Sequence, residues 1–347
     1  MNVKSNEREW IDFFIERKVD LNQAKILTSY AINLQEKSLP VIFEIEHFSK
    51  LLGIELSLAS RIVTKPERFY RVFNVKKRRG GSRVISSPYP KLYYVQSWIK
   101  DNILQKIRVH ESAFAYKKNT SHIDNARVHC FSDEMLKVDI SKFFDNILKS
   151  NIVDIFVKCG YSKKLSEQLA SFCSQGDHLP QGAPTSPVIS NIFMFELDNR
   201  LSKVAEENNL KYSRYADDIC FSGKRISQNL LELVNRAITD YGFQLNNRKT
   251  RLYKSQDVKS VTGIVVSNGK LRTPKRIRRE FRADCHHLLS NGYLQFNGEL
   301  GVFNPLMLDE VIGKGRYILS VEPENQFVSD QMSKLATLRS KYLSLSL

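Results

Sequence analysis

The sequence predicts a fold that mixes helices and strands, of α/β or α+β class, with helical segments at both ends. Three observations predict it. Apolar side chains recur at helical spacing from residue 1 to about residue 65. The middle of the chain alternates short strand-like runs with helical stretches. Helical spacing returns from about residue 274, in a segment rich in Lys and Arg.

The N-terminal third supplies the first elements. Asp20 with Gln23 three residues later predicts a helix start. After a break at "TKPERF", two short strands are expected on either side of a turn at Gly80-Gly81. The tip of this hairpin carries four cations, residues 76–79. Helical periodicity resumes behind Pro90.

The rest of the chain continues the alternation. "EMLKVDI" predicts a strand, followed by helix to about residue 172 and a loop at "LPQGAPTSP". "PVISNIFMFELDNRLSKV" predicts one helix, with Ser186 as N-cap and Pro187 at its first position. A helix is expected at "SQNLLELVNRAITDYG", then strands at "KSVTGIVVS" and "KLRTP".

The composition is that of a folded, basic protein. The chain has 347 residues, enough for two or three domains, and 42% of them are hydrophobic, which excludes wholesale disorder. Lys and Arg number 53 against 37 Asp and Glu, a net charge of +16. This excess favours a polyanionic partner, most simply nucleic acid; a generically basic protein is the alternative.

No membrane partner and no export are expected. No run of about 18 uncharged apolar residues occurs, and the N-terminus lacks the apolar core of a secretory signal. The five cysteines show no CxxC spacing, which indicates reduced structural thiols. The sequence therefore predicts a cytoplasmic protein.

Two adjacent aspartates, Asp217 and Asp218, interrupt the apolar segment "SRYADDICFSG". Burial of a carboxylate is costly unless it is paired or binds a metal. Neighbouring strand residues face opposite sides, so both can approach one site only at a tight turn. We therefore expect a hairpin with the aspartates at its tip; a solvated turn is the alternative.

A third carboxylate is expected beside this tip. Alternation in "EMLKVDI" places Asp139 near the end of its strand, on the face away from Leu136 and Val138. Three converging carboxylates repel one another unless divalent cations fill the space, and Mg²⁺ suits such oxygen ligands. Two ions about 3.5–4 Å apart can stabilise an in-line phosphoryl displacement.

Five segments resemble motifs of reverse transcriptases, in the order of that family. "RYADDICFSG" resembles the YxDD signature. "GGSRVISSP" resembles the fingers strand that contacts triphosphate, and "KVDISKFFDNI" resembles the first palm aspartate motif. "LPQGAPTSPVISN" resembles the glutamine-glycine loop, and "GFQLNNRKTR" resembles the lysine-bearing segment after the catalytic hairpin.

The resemblance implies an α+β right-hand polymerase with fingers, palm and thumb. It places an N-terminal helical segment in residues 1–65, the fingers and palm in 66–265, and a helical basic thumb in 266–347. Two further motifs resemble those of bacterial retron reverse transcriptases. "NARVH" fits their NAxxH signature before the first aspartate, and "VTG" fits their second signature after the palm.

The family's catalytic residues correspond to four positions. The resemblance implies that Asp139 and Asp217 hold two Mg²⁺ ions, with Asp218 a closer neighbour of one. Lys249 corresponds to the candidate proton donor to pyrophosphate; a surface lysine is the alternative.

Other positions correspond to residues that bind the nucleotide or RNA. Phe144 corresponds to the bulky gate against a ribose 2′-hydroxyl, although Phe143 or Phe144 could be ordinary core. The residues expected to bind the nucleotide are Arg83, Phe144, Gln181, Gly182 and Tyr215, with Lys76 or Lys77 as possible helpers. Those expected to contact RNA are Asn125, His129, Val261, Thr262, Gly263, Lys270, Arg272, Lys275, Arg276, Arg278 and Arg279.

The function implied is RNA-directed DNA synthesis on a dedicated structured non-coding RNA. Retron enzymes start from a guanosine 2′-hydroxyl and make a branched RNA-linked DNA, called msDNA, from dNTPs. They commonly act with a separate effector protein in phage defence. The alternatives are the reverse transcriptase of a group II intron or a diversity-generating element, or an inactive RNA-binding scaffold. A group II enzyme is expected to carry a long maturase extension, and no such segment is seen in this sequence.

Overall fold

The structure, a computed structural model, describes residues 3–77, 80–291 and 306–344. Arg78 and Arg79, two of the cations predicted at the tip of the first hairpin, lie outside the described residues. The chain mixes helices and strands and folds into two discontinuous compact units. The first unit comprises residues 1–118, 140–203 and 232–246; the second comprises 119–139, 204–231 and 247–347.

The first unit is mainly helical. Asp20 caps its second helix as predicted, because its carboxylate accepts hydrogen bonds from the backbone N–H groups of Asn22 and Gln23. Its helices are α1 (Val3–Glu16), α2 (Leu21–Glu36), α3 (Ile45–Leu52), α4 (Leu56–Thr64), α5 (Pro90–Asn102), α7 (Lys149–Cys159), α8 (Lys163–Cys173), α9 (Ser186–Phe193), α10 (Phe195–Glu207) and α11 (Leu230–Asp240).

The predicted long helix after the "LPQGAPTSP" loop is instead two helices. Helix α9 begins at Ser186 rather than after it, so Pro187 is its second residue. The break between α9 and α10 falls where the carbonyl of Phe193 accepts a hydrogen bond from the Tyr241 hydroxyl at 2.7 Å. This bond competes with the helical hydrogen bond of that carbonyl, which explains the interruption.

An antiparallel hairpin completes the first unit. Strands β1 (Tyr70–Lys76) and β2 (Ser82–Pro88) pair as predicted around Gly80 and Gly81. The backbone N–H of Ser86 in β2 donates to the carbonyl of Gln181 at 2.7 Å. The hairpin therefore contacts the glutamine-glycine loop directly.

The second unit is built on a four-stranded antiparallel sheet of order β4-β5-β3-β6. The strands are β3 (Glu134–Asp139), β4 (Lys211–Tyr215), β5 (Asp218–Gly223) and β6 (Arg251–Tyr253). β3 and β5 are the central strands and carry most of the buried residues. The short strand β6 was not predicted, because three residues give too little alternation to detect.

A small three-stranded sheet lies beside helix α6 (His122–Arg127) in the second unit. Its strands are β7 (Lys259–Val261), β8 (Ile264–Ser267) and β9 (Lys270–Arg272). The predicted single strand "KSVTGIVVS" is thus a hairpin. Val261, Ile264 and Ala126 share one buried cluster, so the sheet and the helix pack on each other.

Three helices end the second unit, as the helical C-terminal pattern predicts. They are α12 (Lys275–Asn291), α13 (Met307–Val321) and α14 (Gln326–Ser344). Phe281, Ile318 and Leu335, one from each helix, belong to a common buried core. Val321 packs into the cluster beneath the small sheet, and the Thr273 N–H donates to the Glu322 carboxylate at 2.8 Å. The helices are therefore anchored to the sheet region of their own unit.

All five cysteines lie in the described part of the chain, and each is buried with a free thiol. This agrees with the prediction of reduced structural thiols. Among the described residues, no helix is both long and apolar enough to span a membrane.

Candidate active site

The two adjacent aspartates stand at a tight turn, as predicted. Tyr215 of β4 pairs with Asp218 of β5, which leaves Ala216 and Asp217 as a two-residue loop. Ala216 has a φ of +58°, a conformation that a residue with a Cβ adopts at some cost. A guanidinium N–H of Arg214 donates to the Ala216 carbonyl at 3.2 Å, and this arginine is fully buried. Arg214 therefore supports the turn, a role that the sequence motif did not indicate.

Asp139 lies beside the turn. It is the last residue of β3 and pairs directly with Asp218 across the β3–β5 ladder. The prediction that Asp139 faces away from the core was wrong, because it is only 4% exposed. β3 is a central strand with both faces covered, and Met135, two pleats away on the same face, is also buried.

The Asp217 and Asp218 carboxylates have a raised proton affinity. Burial, and then the charges of Asp139 and Asp218, raise the pKa of Asp217 to about 6. Burial also raises the pKa of Asp218; the charge of Lys137 opposes this, and the charge and hydrogen bond of Asp139 add to it. The cluster therefore carries more negative charge than its surroundings neutralise.

Lys249 supplies the nearest positive charge. Its ammonium lies 2.6 Å from the Asp139 carboxylate, with the lysine side chain 60% exposed and the aspartate side chain 6% exposed. Partial burial lowers the pKa of Lys249, but the hydrogen bond and charge of Asp139, with the charges of Asp217 and Asp218, outweigh it and raise the pKa. Lys249 is therefore firmly protonated in this arrangement.

The donor chemistry of the cluster fits a divalent cation. Reverse transcriptases work with divalent metal ions, and three carboxylates with a shortage of positive charge are suitable ligands for Mg²⁺. Within the described residues, however, no group of three or more His, Cys, Asp or Glu side chains is arranged to hold a metal ion as it stands. In this structure the Lys249 ammonium is the cation that lies against Asp139.

The NAxxH motif lies in and just after α6, and its polar side chains are buried. Asn125 is 2% exposed, and its side-chain carbonyl oxygen accepts no hydrogen bond from the residues that the structure describes. His129 is fully buried, with ring Nδ1 2.6 Å from the Ser222 hydroxyl and Nε2 2.7 Å from the Ser213 hydroxyl. The structure therefore corrects the expectation that Asn125 and His129 contact RNA, since neither side chain reaches the surface.

The VTG motif forms the turn between β7 and β8. Thr262 and Gly263 both have positive φ, +48° and +85°, as a type I′ turn requires. The Thr262 hydroxyl donates to the carbonyl of His122 in α6 at 2.8 Å. Val261 is buried and cannot contact RNA, whereas Gly263 is exposed at the turn. The VTG turn thus contacts helix α6, and Val261 shares a buried cluster with Ala126 of the NAxxH motif.

The predicted nucleotide-binding residues, Tyr215 excepted, lie in the first unit. Gly182 has a φ of +125°, and a Cβ there would lie 2.9 Å from the Ser86 carbonyl oxygen, so only glycine fits. Phe143 is buried against Phe243, while Phe144 is half-buried. Phe143 is therefore the core residue of the pair. Arg83 is exposed on β2, as are Lys76 and Lys77 on and after β1, and Tyr215 is half-buried on β4 of the second unit.

The predicted basic surface divides into separate groups. Lys270 and Arg272 are exposed on β9. Lys275, Arg278 and Arg279 lie on one side of α12 and line a common cavity. Arg276, also on α12, forms an exposed ion pair with Glu280 at 3.3 Å. These cations are therefore not equivalent.

Comparison with known proteins gives the family. Residues 75–266, more than half of the chain, match the family described as "Reverse transcriptase (RNA-dependent DNA polymerase)". The chain is 30% identical over 256 residues to the retron Ec73 reverse transcriptase of Escherichia coli, covering 68% of this chain and 81% of that protein. It belongs to the retron reverse transcriptases. The family is that of RNA-directed DNA polymerases, with the right-hand α+β fold that the resemblance implied.

Two further retron reverse transcriptases and one solved structure are also similar to this chain. The retron Ec86 reverse transcriptase of Escherichia coli is 28% identical over 272 residues, 77% of this chain and 84% of that protein. The retron Mx162 reverse transcriptase of Myxococcus xanthus is 30% identical over 281 residues, 70% of this chain and 58% of that protein. Apo telomerase from Candida tropicalis is a structural neighbour with a TM-score of 0.44 and 13% identity, covering 77% of this chain and 58% of its own.

Replacement of Asp217 by Asn should stabilise the protein in the absence of divalent cations while abolishing polymerisation. Removal of the charge relieves repulsion that corresponds to about 1–3 kcal/mol, given the raised pKa of Asp217. Because the folded state binds this proton more tightly than the unfolded state, wild-type stability falls as pH rises through about 6. In EDTA at pH 7.5 we therefore expect Asp217→Asn to have a higher melting temperature than wild type. The difference between the two melting temperatures should shrink below pH 6.

The matched control is Asp12→Asn, which removes an exposed carboxylate from α1. It should leave both the melting temperature and the polymerase rate unchanged. Equal melting temperatures of wild type and Asp217→Asn in EDTA at pH 7.5 would show that the carboxylates do not destabilise one another.

Proposed function

We propose that this protein reverse-transcribes a cognate structured non-coding RNA into retron msDNA. The observation that carries the retron assignment is the contact of the NAxxH helix with the VTG turn, in a chain related to retron enzymes over most of its length. Synthesis begins from a guanosine 2′-hydroxyl of that RNA and yields a branched RNA-linked DNA. The template, the primer and the product therefore share one partner molecule.

In the proposed reaction the primer hydroxyl attacks the α-phosphorus of a bound dNTP. A P–O bond to the primer forms, the bond to the β-phosphate breaks, and pyrophosphate leaves. Asp139 and Asp217 would hold two Mg²⁺ ions, with Asp218 beside one of them. These ions would supply charge neutralisation for both the attacking and the leaving oxygens. The buried hairpin contributes a fixed position for its carboxylates, and positioning is most of what this chemistry requires.

Lys249 has two proposed tasks in this scheme. In the structure it neutralises Asp139. During turnover it would move off that carboxylate and give a proton to the departing pyrophosphate. Its raised pKa makes it a weak acid beside Asp139, and release from the carboxylates would make it a better one. Proton donation by Lys249 is thus coupled to its displacement.

The residues of the first unit are assigned to nucleotide binding. Arg83 would contact the triphosphate through its two-pronged guanidinium. Gln181 and Gly182 would present backbone to template and nucleotide, and Tyr215 would support the primer end. Phe144 would exclude a 2′-hydroxyl. The proposed boundaries remain 1–65 for the N-terminal helices, 66–265 for fingers and palm, and 266–347 for the thumb.

The wider role proposed is in bacterial defence against phage, in the cytoplasm, with a separate effector protein. This part rests on the resemblance to retron enzymes alone. A group II intron or diversity-generating enzyme is the nearest alternative, and an inactive RNA-binding scaffold is another. The intact trio Asp139, Asp217 and Asp218 favours an active enzyme over a scaffold.

The deciding experiment is to purify the protein from its native host and sequence the nucleic acid that accompanies it. We expect a short DNA joined to RNA through a 2′ branch with wild type, and the same RNA without DNA with Asp217→Asn. Recovery of free DNA, or of no RNA, would remove the retron assignment. Extension of an oligo(dT) primer on poly(rA) with Mg²⁺ measures polymerase activity separately.

Replacement of Phe144 by Ala should admit ribonucleotides, because the half-buried ring would no longer occupy the space of a 2′-hydroxyl. Incorporation of rTTP relative to dTTP, measured on poly(rA), should rise at least tenfold. Phe144→Tyr keeps the bulk and should keep the discrimination. An unchanged ratio in Phe144→Ala would remove Phe144 from this role.

A further inference from the structure

A cavity of about 350 Å³ opens among the three C-terminal helices of the second unit. We call it the thumb pocket. Its floor is apolar, with Phe281 of α12, Ile318 of α13 and Val328 of α14 all buried. Phe327 of α14 lies at the rim with 41% of its surface exposed. The pocket is of the size that single small ligands occupy.

One wall of the thumb pocket is strongly basic. Lys275, Arg278, Arg279 and Arg282 follow the i, i+3, i+4, i+7 spacing of a single helix face. The guanidinium of Arg282 lies over the Phe327 ring, 4.9 Å from its centroid. Within the part of the chain that the structure describes, none of these four cations forms a salt bridge. The wall therefore offers concentrated positive charge to a ligand.

A buried donor in this wall also lacks a partner. The Nε of Arg278 is inaccessible to solvent and makes no hydrogen bond within the described residues. Buried polar atoms are nearly always paired, so Arg278 has hydrogen-bonding capacity that the described residues do not use. The first turn of α14, capped by Asn325 through a 3.3 Å bond from the Val328 N–H, lines the same pocket.

We propose that the thumb pocket binds one unpaired nucleotide of an RNA, with its phosphate on the basic wall and its base against Phe327. This inference rests on the proposed function, since it names how the enzyme holds its RNA partner. Unpaired bases in RNA are commonly recognised by stacking on aromatic rings or guanidinium planes. Both surfaces are present here. The polar atoms of Asn325 are already bonded to Glu322 and Val328, so the base is held with little preference for its identity.

The test compares two labelled RNA hairpins that differ by one bulged nucleotide, by fluorescence anisotropy at 150 mM salt. Wild type should bind the bulged hairpin about tenfold more tightly than the fully paired one. Phe327→Ala and Arg278→Gln should reduce this ratio below about twofold. Arg339→Gln is the matched control, since it removes a cation of α14 that pairs with Asp309 outside the pocket, and it should preserve the ratio.

Equal affinity of wild type for the two hairpins would overturn the proposal, as would a tenfold ratio that survives Phe327→Ala. Extension of oligo(dT) on poly(rA) is measured with the same preparations. If extension is normal and the two hairpins bind equally, the proposed nucleotide site is refuted and the polymerase function stands. Absent extension would refute the polymerase function.

A second inference concerns His129 and rests on independent contacts. Its ring joins the two strands of the catalytic hairpin, through Ser213 of β4 and Ser222 of β5. Ser222 also contacts the Ser132 hydroxyl at 2.8 Å. In the β4–β5 register, Ser213 and Ser222 share the sheet face of Asp218. The imidazole therefore lies on the same sheet face as Asp218, further along the strands, and ties β4 to β5.

The surroundings keep this ring neutral. Burial, reinforced by the charge of Lys137, lowers the pKa of His129 to about 3. A neutral imidazole has one donor and one acceptor nitrogen, and each serine hydroxyl can match either. Both bonds are thus satisfied without a charge. The geometry points to His129 as a positioning residue that holds the catalytic hairpin, in place of an RNA contact.

The test measures kcat and KM for dTTP on primed poly(rA), together with the Kd of that RNA. His129→Ala should lower kcat at least tenfold and leave KM and Kd within twofold. His129→Gln should recover part of kcat, because an amide can bond at least one of the two hydroxyls. Ser213→Ala removes one bond with little loss of volume and should lower kcat in the same direction, even if His129→Ala does not fold.

His122→Ala is the control, since it removes an imidazole of α6 that stacks on Tyr317 and does not bond the hairpin. It should keep kcat. A full kcat in both His129→Ala and Ser213→Ala would overturn the inference. A weakened Kd with unchanged kcat would do so too, and would return His129 to RNA binding.

Discussion

Repulsion among Asp139, Asp217 and Asp218 is the constraint on which the rest of the second unit depends. Carboxylates that are partly removed from water and close together drive a chain apart unless the backbone is held from several sides. Here the sheet holds Asp139 against Asp218, and a buried arginine holds the loop between the strands. The local instability of the site is thus balanced by the rigidity of its supports.

Much of this arrangement could be predicted from the sequence. An acidic pair inside an apolar run implies a turn, and the alternation before Asp139 implies a strand that ends there. The burial of Asp139 could not be predicted, because alternation within one strand does not reveal whether other elements cover its second face. Arg214 was missed for a related reason: a lone arginine in a strand gives no sign that it bonds a loop carbonyl two residues ahead.

The short motifs show a different limit of sequence reasoning. A short motif such as NAxxH or VTG can indicate a family, but it does not indicate whether the motif's side chains face outward. In this protein Asn125, His129 and Val261 are buried, and Thr262 bonds the backbone of the neighbouring helix. These motifs pack behind the catalytic hairpin, and their exposed residues are Arg127 and the turn glycine Gly263. A match to a family motif and the contacts that the motif's side chains make therefore have to be established separately.

The burial of every cysteine has a practical consequence. Burial raises the pKa of Cys173 and Cys220 to about 12, and the other three thiols shift in the same direction. Alkylating reagents attack the thiolate, so the native thiols should react with them very slowly. A single cysteine placed at an exposed position would then take up a fluorophore selectively. Movements of the reverse transcriptase during synthesis could then be followed by fluorescence energy transfer without first replacing its five buried cysteines.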